Sequence, residues 1–182
     1  MINLHLKINE NIELKIPTKD DVSHVFLLVM KNREWLGKYM DWEAKTQSPK
    51  DILAFFERAK HLSYYDDNFP LIIWYKKKIV GIIGFNRGNS IEKHVEIGYW
   101  IEEEYSKKGI VTQATKALVN FAFNMTDIET IFIHCEISNI PSYKIPQKLG
   151  FKFIKEEENS DIFYRDGKAV KLTYRLDKNK EL

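Results

Sequence analysis

The sequence predicts an α+β fold, with a mixed-sheet α/β arrangement as the other form that the same elements allow. Amphipathic helical segments fill the first third of the chain, and a β-hairpin with a lysine turn follows at residues 69–85. Strand and helix patterns then alternate as β–α–β–α–β, and the chain closes with hairpin strands. Helices that precede a run of mostly hairpin-connected strands are typical of this class.

The composition indicates one globular domain. A domain takes about 150 residues, and no repeat or linker divides residues 1–182. The 44% of hydrophobic residues suffices for a core, and 28 Lys and Arg balance 26 Asp and Glu. The resulting pI of about 8.4 is below the value of about 9 above which nucleic-acid-binding domains usually lie. Direct nucleic-acid binding is therefore not expected.

Cysteine usage and hydropathy narrow the class of protein further. Cys135 is the single cysteine, which excludes a disulfide within the chain and a zinc site of several cysteines. The stretch MINLHLKINENIEL lacks the charged-then-apolar order of a secretory signal. No apolar run approaches the roughly 20 residues that a membrane helix needs. We therefore expect a cytoplasmic protein that binds neither a metal nor a membrane.

The first third of the chain predicts one strand and two helices. IELKI (12–16) alternates apolar and polar residues, as a half-buried strand does. Thr18 lies three residues before Asp21, which is an N-cap pattern, and a helix is expected to follow. SPKD (48–51) repeats that signal with a proline in the first helical turn, so ILAFFERAKHL is expected to form the second helix.

The central part of the chain predicts strands. The hairpin at 69–85 turns at the lysines of 76–78, and HVEIGYWI (94–101) alternates strictly. Its two faces carry Val95, Ile97, Tyr99 and Ile101 on one side and Glu96, Gly98 and Trp100 on the other. IETIFIHCEI (128–137) is so rich in Ile and Phe that we expect a strand covered on both faces, with Cys135 as a small buried core residue.

The remaining elements are one long helix, one short helix and a closing hairpin. In YSKKGIVTQATKALVNFAF (105–123) the apolar residues recur every three or four positions, so a helix begins near Gly109. The same spacing predicts that Met125 belongs to its apolar face and that Thr115 points to water. The helix from Asn139 ends by Gly150, and a strand follows. A final hairpin turns around Asp166-Gly167.

The turn before the long helix has the features of an anion-binding site. Free N–H groups and the helix dipole make a helix N-terminus positive, Gly109 allows close approach, and Lys107 and Lys108 add charge. A strand, a basic glycine turn and a helix N-terminus together suit a pyrophosphate. Neither GxxxxGK[ST] nor GxGxxG occurs, so a P-loop or dinucleotide fingerprint is excluded.

Several motifs in order resemble the RimJ/RimL-like branch of the GNAT N-acetyltransferase superfamily. Window 106–111 matches the central glycine of the acyl-CoA loop [Q/R]xxGx[G/A], with Ser106 and Val111 departing from it. EIGYWIEEEYSKKGIVTQA resembles the strand and turn of that branch, and NIPSYKIPQKLGFK resembles its N-x-x-S…P-x-x-x-GF segment. The segments REWLGKYMDW and YRDGKAVKLTYRL also match, so the resemblance runs from about residue 12 to 176.

The resemblance implies a mostly antiparallel, splayed sheet flanked by helices and acetyl-CoA as the co-substrate. Pantetheine would pair with the splayed strand, the pyrophosphate would meet the amides at the helix start, and Asn139 would bond the pantetheine arm. The implied cofactor-binding positions are Trp100, Ile101, Lys107, Lys108, Gly109, Ile110, Val111, Thr112, Asn139 and Ser142.

The resemblance also implies catalytic roles. Many members protonate the leaving thiolate with a tyrosine four residues before the Gly-Phe pair; Pro146 stands there, and Ser142 is the implied substitute. Glu96 is the first candidate for the general base, and Asp161 on the late strands is the second. Two structural roles remain open: Ser142 as a residue of a helix first turn, and Glu96 as the partner of a lysine across the sheet.

Two functions of different classes follow. The first is direct transfer of an acetyl group from acetyl-CoA to a primary amine, either the N-terminus of a protein, for example a ribosomal protein, or a small molecule. The second is a non-catalytic acyl-CoA-binding module, which the departures at Ser106, Val111 and Pro146 keep open. Trp35, Tyr39 and Trp42 either belong to the core or line the acceptor pocket. Monomer and homodimer are both left open.

Overall fold

One eight-stranded sheet organises the protein. The computed structural model describes residues 2–59, 61–164 and 167–178, with 159–164 and 167–169 described by their backbone alone. The strands are β1 (His5–Lys7), β2 (Ile12–Lys15), β3 (Asn68–Tyr75), β4 (Lys78–Asn89), β5 (His94–Ile101), β6 (Thr130–Glu136), β7 (Lys152–Tyr164) and β8 (Gly167–Asp177). The helices are α1 (Val22–Lys31), α2 (Arg33–Leu36), α3 (Trp42–Lys45), α4 (Pro49–Arg58), α5 (Ile110–Met125) and α6 (Ile140–Lys148).

The sheet is mixed, which confirms the predicted fold class. The strand order is β1-β2-β3-β4-β5-β6-β8-β7, and every neighbouring pair is antiparallel except β5 and β6, which are parallel. The predicted lysine turn joins β3 to β4, with Lys76 and Lys77 both at positive φ. In the last hairpin Tyr164 pairs with Gly167, while the predicted turn residue Asp166 lies outside the described residues.

Helices cover both faces of the sheet. On one face, α1, α2 and α4 pack on Ile72 and Ile82 of β3 and β4. On the other face, α5 and α6 pack on a larger apolar cluster that includes Leu71, Ile83 and Phe85 from the same strands. Because neighbouring residues of β3 and β4 serve opposite faces, the central strands are apolar on both sides.

Side chains cap the two early helices as the sequence predicts. The Asp21 carboxylate accepts hydrogen bonds from the backbone N–H and the hydroxyl of Thr18, each at 2.8 Å. At α4, Asp51 accepts hydrogen bonds from the N–H and the hydroxyl of Ser48. Backbone N–H donors from Gln47 and Ser48 lower the pKa of Asp51. These bonds satisfy donors that the helix itself leaves free.

The structure adds one strand and corrects several expectations. The strand β1 was not predicted, because an alternation of only three residues is too short to detect. In β6 buried residues alternate with half-buried ones, so this strand is not covered on both faces as expected. On α5, Thr115 is fully buried and donates to the carbonyl of Val111, whereas Met125 at the helix end is 72% exposed. The helix from Ser48 ends at Arg58, earlier than its apolar pattern suggests.

None of the helices in the described ranges combines the length and the apolar character that a membrane crossing requires.

Candidate active site

Strands β5 and β6 separate part-way along their length. Their parallel pairing comprises three residue pairs and ends where Glu96 meets Phe132. On the other side, β5 stays paired with β4 as far as Ile101. The second half of β5 therefore has an edge that no strand of the described part covers, which matches the splayed sheet that the resemblance implies.

A cavity of about 890 Å³ lies over this separation. Its floor is the sheet face that carries Glu96, Gly98 and Trp100, the residues that strand alternation places together. Asn139 and Ser142 line the cavity where α6 begins, and α1, α3 and α4 form its opposite wall. Predicted catalytic and cofactor-binding residues from β5 and α6 thus share one space.

The side chains of Glu96 and His134 lie next to each other in this cavity. The carboxylate Oε2 of Glu96 lies 3.7 Å from Nε2 of His134, and Nδ1 of His134 lies 3.0 Å from the hydroxyl of buried Thr173. Burial raises the pKa of Glu96, while the positive charges of Arg87 and Lys171 oppose the rise. Burial lowers the pKa of His134 to about 4, so its imidazole is neutral at pH 7.

The partner that the sequence suggested for Glu96 was a lysine across the sheet. The group within 4 Å is instead the imidazole of His134, and Lys171 acts on Glu96 from farther away. Sequence reasoning assigned no role to His134. The strand register was the missing information, because it is the pairing of Glu96 with Phe132 that brings residue 134 alongside.

Ser142 lies at the other end of the cavity, beside Tyr99 and Cys135. Its hydroxyl is 3.5 Å from the Tyr99 hydroxyl and 3.4 Å from the sulfur of Cys135. Tyr99 donates a 3.0 Å hydrogen bond to the Ser142 carbonyl and so bridges the gap between β5 and α6. Burial raises the pKa of Tyr99 well above its usual value and that of Cys135 to about 11, so both remain protonated. Cys135 is a buried core residue, as expected.

Asn139 caps α6. Its side-chain oxygen accepts a hydrogen bond from the backbone N–H of Ser142 at 3.3 Å. This bond fixes Ser142 in the first turn of the helix, so the structural role considered from the sequence is real. It does not occupy the Ser142 hydroxyl, which still faces the cavity.

The predicted pyrophosphate turn has the expected geometry. Gly109 is the N-cap of α5, with φ of +75°, a region that favours glycine. Lys107 is also at positive φ, and the side chains of Lys107 and Lys108 are exposed. The Lys108 ammonium lies 4.9 Å from the centre of the Tyr105 ring. The departures from the family pattern differ in setting, since Val111 is buried against the core whereas Ser106 is half-buried.

The open edge of β5 already has one polar contact. The indole Nε1 of Trp35 donates a 3.1 Å hydrogen bond to the carbonyl of Ile101. The side chain of Ile101 is 9% exposed, whereas Trp100 lines the cavity and packs against Trp42 at 5.8 Å between ring centres. Of the early aromatic residues, Tyr39 and Trp42 line the cavity and Trp35 packs on the core.

Comparison with known proteins agrees with this architecture. The sequence profile described as the acetyltransferase (GNAT) domain matches residues 11–152. The chain belongs to the GNAT acetyltransferase family. It is therefore an N-acetyltransferase by family, which confirms the class of enzyme that the sequence motifs predict.

Individual relatives of this GNAT chain cover most of its length. The ribosomal-protein-serine acetyltransferase of Escherichia coli strain K12 is 27% identical over 146 residues, which are 80% of this chain and 82% of that protein. The microcin C7 self-immunity acetyltransferase MccE, solved with acetyl-CoA and AMP, is 26% identical with a TM-score of 0.87, covering 94% of this chain and 95% of that one. RimL, a ribosomal L7/L12 α-N-protein acetyltransferase solved with coenzyme A, has a TM-score of 0.89 at 21% identity. The match covers 96% of this chain and 98% of that one.

Two further site predictions concern residues outside the described lining of the cavity. Asp161 belongs to β7 by its backbone, and its side chain lies outside the described residues. The segment 107–112 does not line the cavity and lies at the start of α5. Among the described residues, no group of three or more His, Cys, Asp and Glu side chains is arranged to hold a metal ion.

Proposed function

We propose that this GNAT domain transfers the acetyl group of acetyl-CoA to the amino group at the N-terminus of a polypeptide. The observation that carries the proposal is the single cavity that joins Glu96, Ser142 and the open edge of β5. The names of its relatives, including a ribosomal-protein-serine acetyltransferase, favour a protein acceptor.

Glu96 acts as the general base in this proposal. An ammonium group must lose a proton before its nitrogen can attack, and a positioned carboxylate can accept that proton directly or through a water molecule. Burial raises the pKa of Glu96 and so makes its carboxylate a better proton acceptor. The neutral imidazole of His134, held by Thr173, faces the carboxylate and adds no competing charge.

Ser142 protonates the leaving thiolate. The hydroxyl oxygen of Tyr99 accepts a hydrogen bond from the Ser142 hydroxyl at 3.5 Å and donates its own proton to the Ser142 carbonyl, so Tyr99 positions Ser142 for this step. Ser142 then regains its proton from water. The missing family tyrosine, replaced by Pro146, is thereby compensated by a serine and a tyrosine from two different elements. Asn139 fixes the backbone of Ser142, and Thr173 fixes the His134 imidazole beside the proposed base.

The residues present fit acetyl-CoA, which supplies the activated acetyl group when bound. The open edge of β5 offers the backbone groups of Ile101 to an extended amide-containing arm, whereas those of neighbouring Trp100 face β4, so Trp100 would contact the arm through its side chain. The N-terminus of α5 offers the free N–H groups of Ile110, Val111 and Thr112, with the lysines beside it, to a pyrophosphate. Asn139 and Ser142 line the cavity and would contact the arm where it passes α6.

Binding and transfer assays test the proposal. Coenzyme A is titrated by calorimetry, and acetyl-CoA is then presented with peptides, polyamines, amino acids and aminoglycosides while thiol release and acetylated products are measured. We expect micromolar binding and acetylation of peptide N-termini. Binding without acceleration by any amine would support the non-catalytic module instead, and the absence of binding would remove both functions.

Replacing Ser142 by alanine tests the proton donor. We expect Ser142→Ala to lower kcat about 10- to 100-fold at saturating acetyl-CoA, because the thiolate then leaves without a positioned acid. The Kd of coenzyme A should stay within about twofold, since a hydroxyl is a minor part of so large a ligand's contacts. The matched control is Ser138→Ala, whose exposed hydroxyl bonds Glu136. An unchanged kcat in Ser142→Ala would remove Ser142 from the mechanism.

A further inference from the structure

Three polar side chains form one row across the floor of the cavity. Asn68 of β3 pairs with Asn86 of β4, and Asn86 pairs with Glu96 of β5. Directly paired residues of antiparallel strands point to the same face, and all three line the cavity. The row therefore runs across the strands from the proposed base toward the far wall.

The side-chain amides of the two asparagines in this row are not used for hydrogen bonds within the described part of the protein. Within the described residues, neither side-chain amide makes a hydrogen bond to another protein group, although each could donate and accept. Both side chains are half-buried at the surface of the cavity. Amide groups placed in this way are free to bond a ligand that enters the cavity.

The neighbouring row is almost without side chains. It consists of Pro70, Gly84 and Gly98, one residue from each of the same three strands. A Cβ atom added to Gly98 would come within 2.4 Å of the amide nitrogen of Asn86. The Asn86 amide thus lies over the Gly98 backbone in the space that a larger side chain would fill, so the absence of a side chain at Gly98 lets the Asn86 amide reach this position in the cavity.

We propose that Asn86 and Asn68 bind the peptide backbone of the acceptor and so make the site select a polypeptide over a small amine. The inference rests on the proposed acetyl transfer to a polypeptide and assigns the residues that recognise this acceptor. Adjacent strands are about 4.8 Å apart, and an extended chain advances about 3.3 Å per residue. With the amino group at Glu96, the first peptide group comes near Asn86, and the third residue of the extended chain comes near Asn68.

The chemistry of an asparagine side chain matches that of a peptide group. Each offers one carbonyl oxygen and N–H donors, so Asn86 bonds the N–H and the C=O of the acceptor backbone whatever its side chains are. A polyamine has no carbonyl to accept the Asn86 N–H. The nearby charges of Arg87, Lys171, Asp67 and Glu96 act on the ammonium group of either acceptor, so they do not distinguish a peptide from a small amine.

The test compares acceptors that differ in one hydrogen bond. Tetrapeptide amides that differ in their first residue and continue with three alanines are screened first, and the one with the highest kcat/KM is taken as the reference acceptor. That peptide is compared with its depsipeptide, in which an ester oxygen replaces the first peptide N–H, and with isopropylamine. We expect kcat/KM to fall about tenfold from peptide to depsipeptide, the cost of one hydrogen bond, and further for isopropylamine.

Asn86→Ala should lose about tenfold in kcat/KM on the peptide and should no longer distinguish peptide from depsipeptide by more than about twofold. The matched control is Asn124→Ala, an exposed residue of α5. Asn86→Asp, of equal size, serves if the alanine variant misfolds, and the Kd of coenzyme A reports folding for both.

Each outcome decides a different point. Equal ester effects in the wild-type and Asn86→Ala proteins would overturn the role of Asn86 and leave the proposed function intact. Equal rates for isopropylamine and the tetrapeptide would overturn both this inference and the polypeptide acceptor of the proposed function, while acetyl transfer itself would stand. Binding of coenzyme A without transfer to any acceptor would instead remove the proposed acetyl transfer and this inference with it.

Discussion

Glu96→Gln is expected to lower kcat about 10²- to 10³-fold at neutral pH, the size of effect that loss of a general base usually has. In the wild-type protein the rate should rise with pH through the pKa of Glu96, because only the ionised carboxylate accepts a proton. The midpoint of this rise should lie at a higher pH than the ordinary pKa of a glutamate, since burial raises the pKa of Glu96. In Glu96→Gln the limb should vanish. The measurement is kcat against pH at saturating acetyl-CoA.

Variants of two other carboxylates test whether the effect is specific to Glu96. Glu92→Gln removes an exposed carboxylate that precedes the same strand and pairs with His94, so its profile should match the wild type. Asp161→Asn tests the second candidate base. If Asp161→Asn removes the acidic limb and Glu96→Gln leaves it in place, the base lies on the closing hairpin and the role proposed for Glu96 is wrong. His134 cannot mimic the limb at neutral pH, because its pKa is lowered to about 4.

Gly109→Val is expected to weaken coenzyme A binding at least about tenfold. Valine is strained at the positive φ of Gly109, and its branched side chain would stand where the pyrophosphate meets the amides at the start of α5. Calorimetric titration of coenzyme A gives the change in Kd directly.

The chain supplies a matched control in Gly150. It has nearly the same backbone conformation, with φ of +77° against +75° for Gly109, but it follows α6 and precedes β7. Gly150→Val should therefore lower the melting temperature to a similar extent while leaving the Kd of coenzyme A close to that of the wild type. Equal losses of affinity in both variants would mean that Gly109 acts through stability alone.

Local patterns predicted much of the fold because they were unambiguous. The alternation of residues 94–101 defined β5 and separated the core face from the face of Glu96 and Trp100. The glycine turn and the spacing of apolar residues placed the start of α5 at Gly109. Capping patterns at Thr18 and Ser48 placed the early helices. Each of these signals is complete within about ten neighbouring residues.

The parts that could not be predicted depend on contacts between distant segments. His134 gained a role only through its register beside Glu96, and the row of Asn68, Asn86 and Glu96 exists only once three strands are paired. Burial of Thr115 follows from how α5 sits on the sheet, which its own pattern of polar residues did not reveal. Sequence spacing carries no information on which strand lies next to which.

The contact between Trp35 and Ile101 ties the acceptor-side helices to the cofactor-side strand. Nearby, Lys31 pairs with Glu102, and the Asn32 side chain accepts a hydrogen bond from the N–H of Glu103. A cofactor arm that bonds the Ile101 carbonyl competes with the indole and so changes the free energy of the whole α1–α2 junction. Because such coupling is reciprocal, an acceptor that shifts this junction changes acetyl-CoA affinity by the same factor. One indole hydrogen bond would thus couple the affinities for the two substrates.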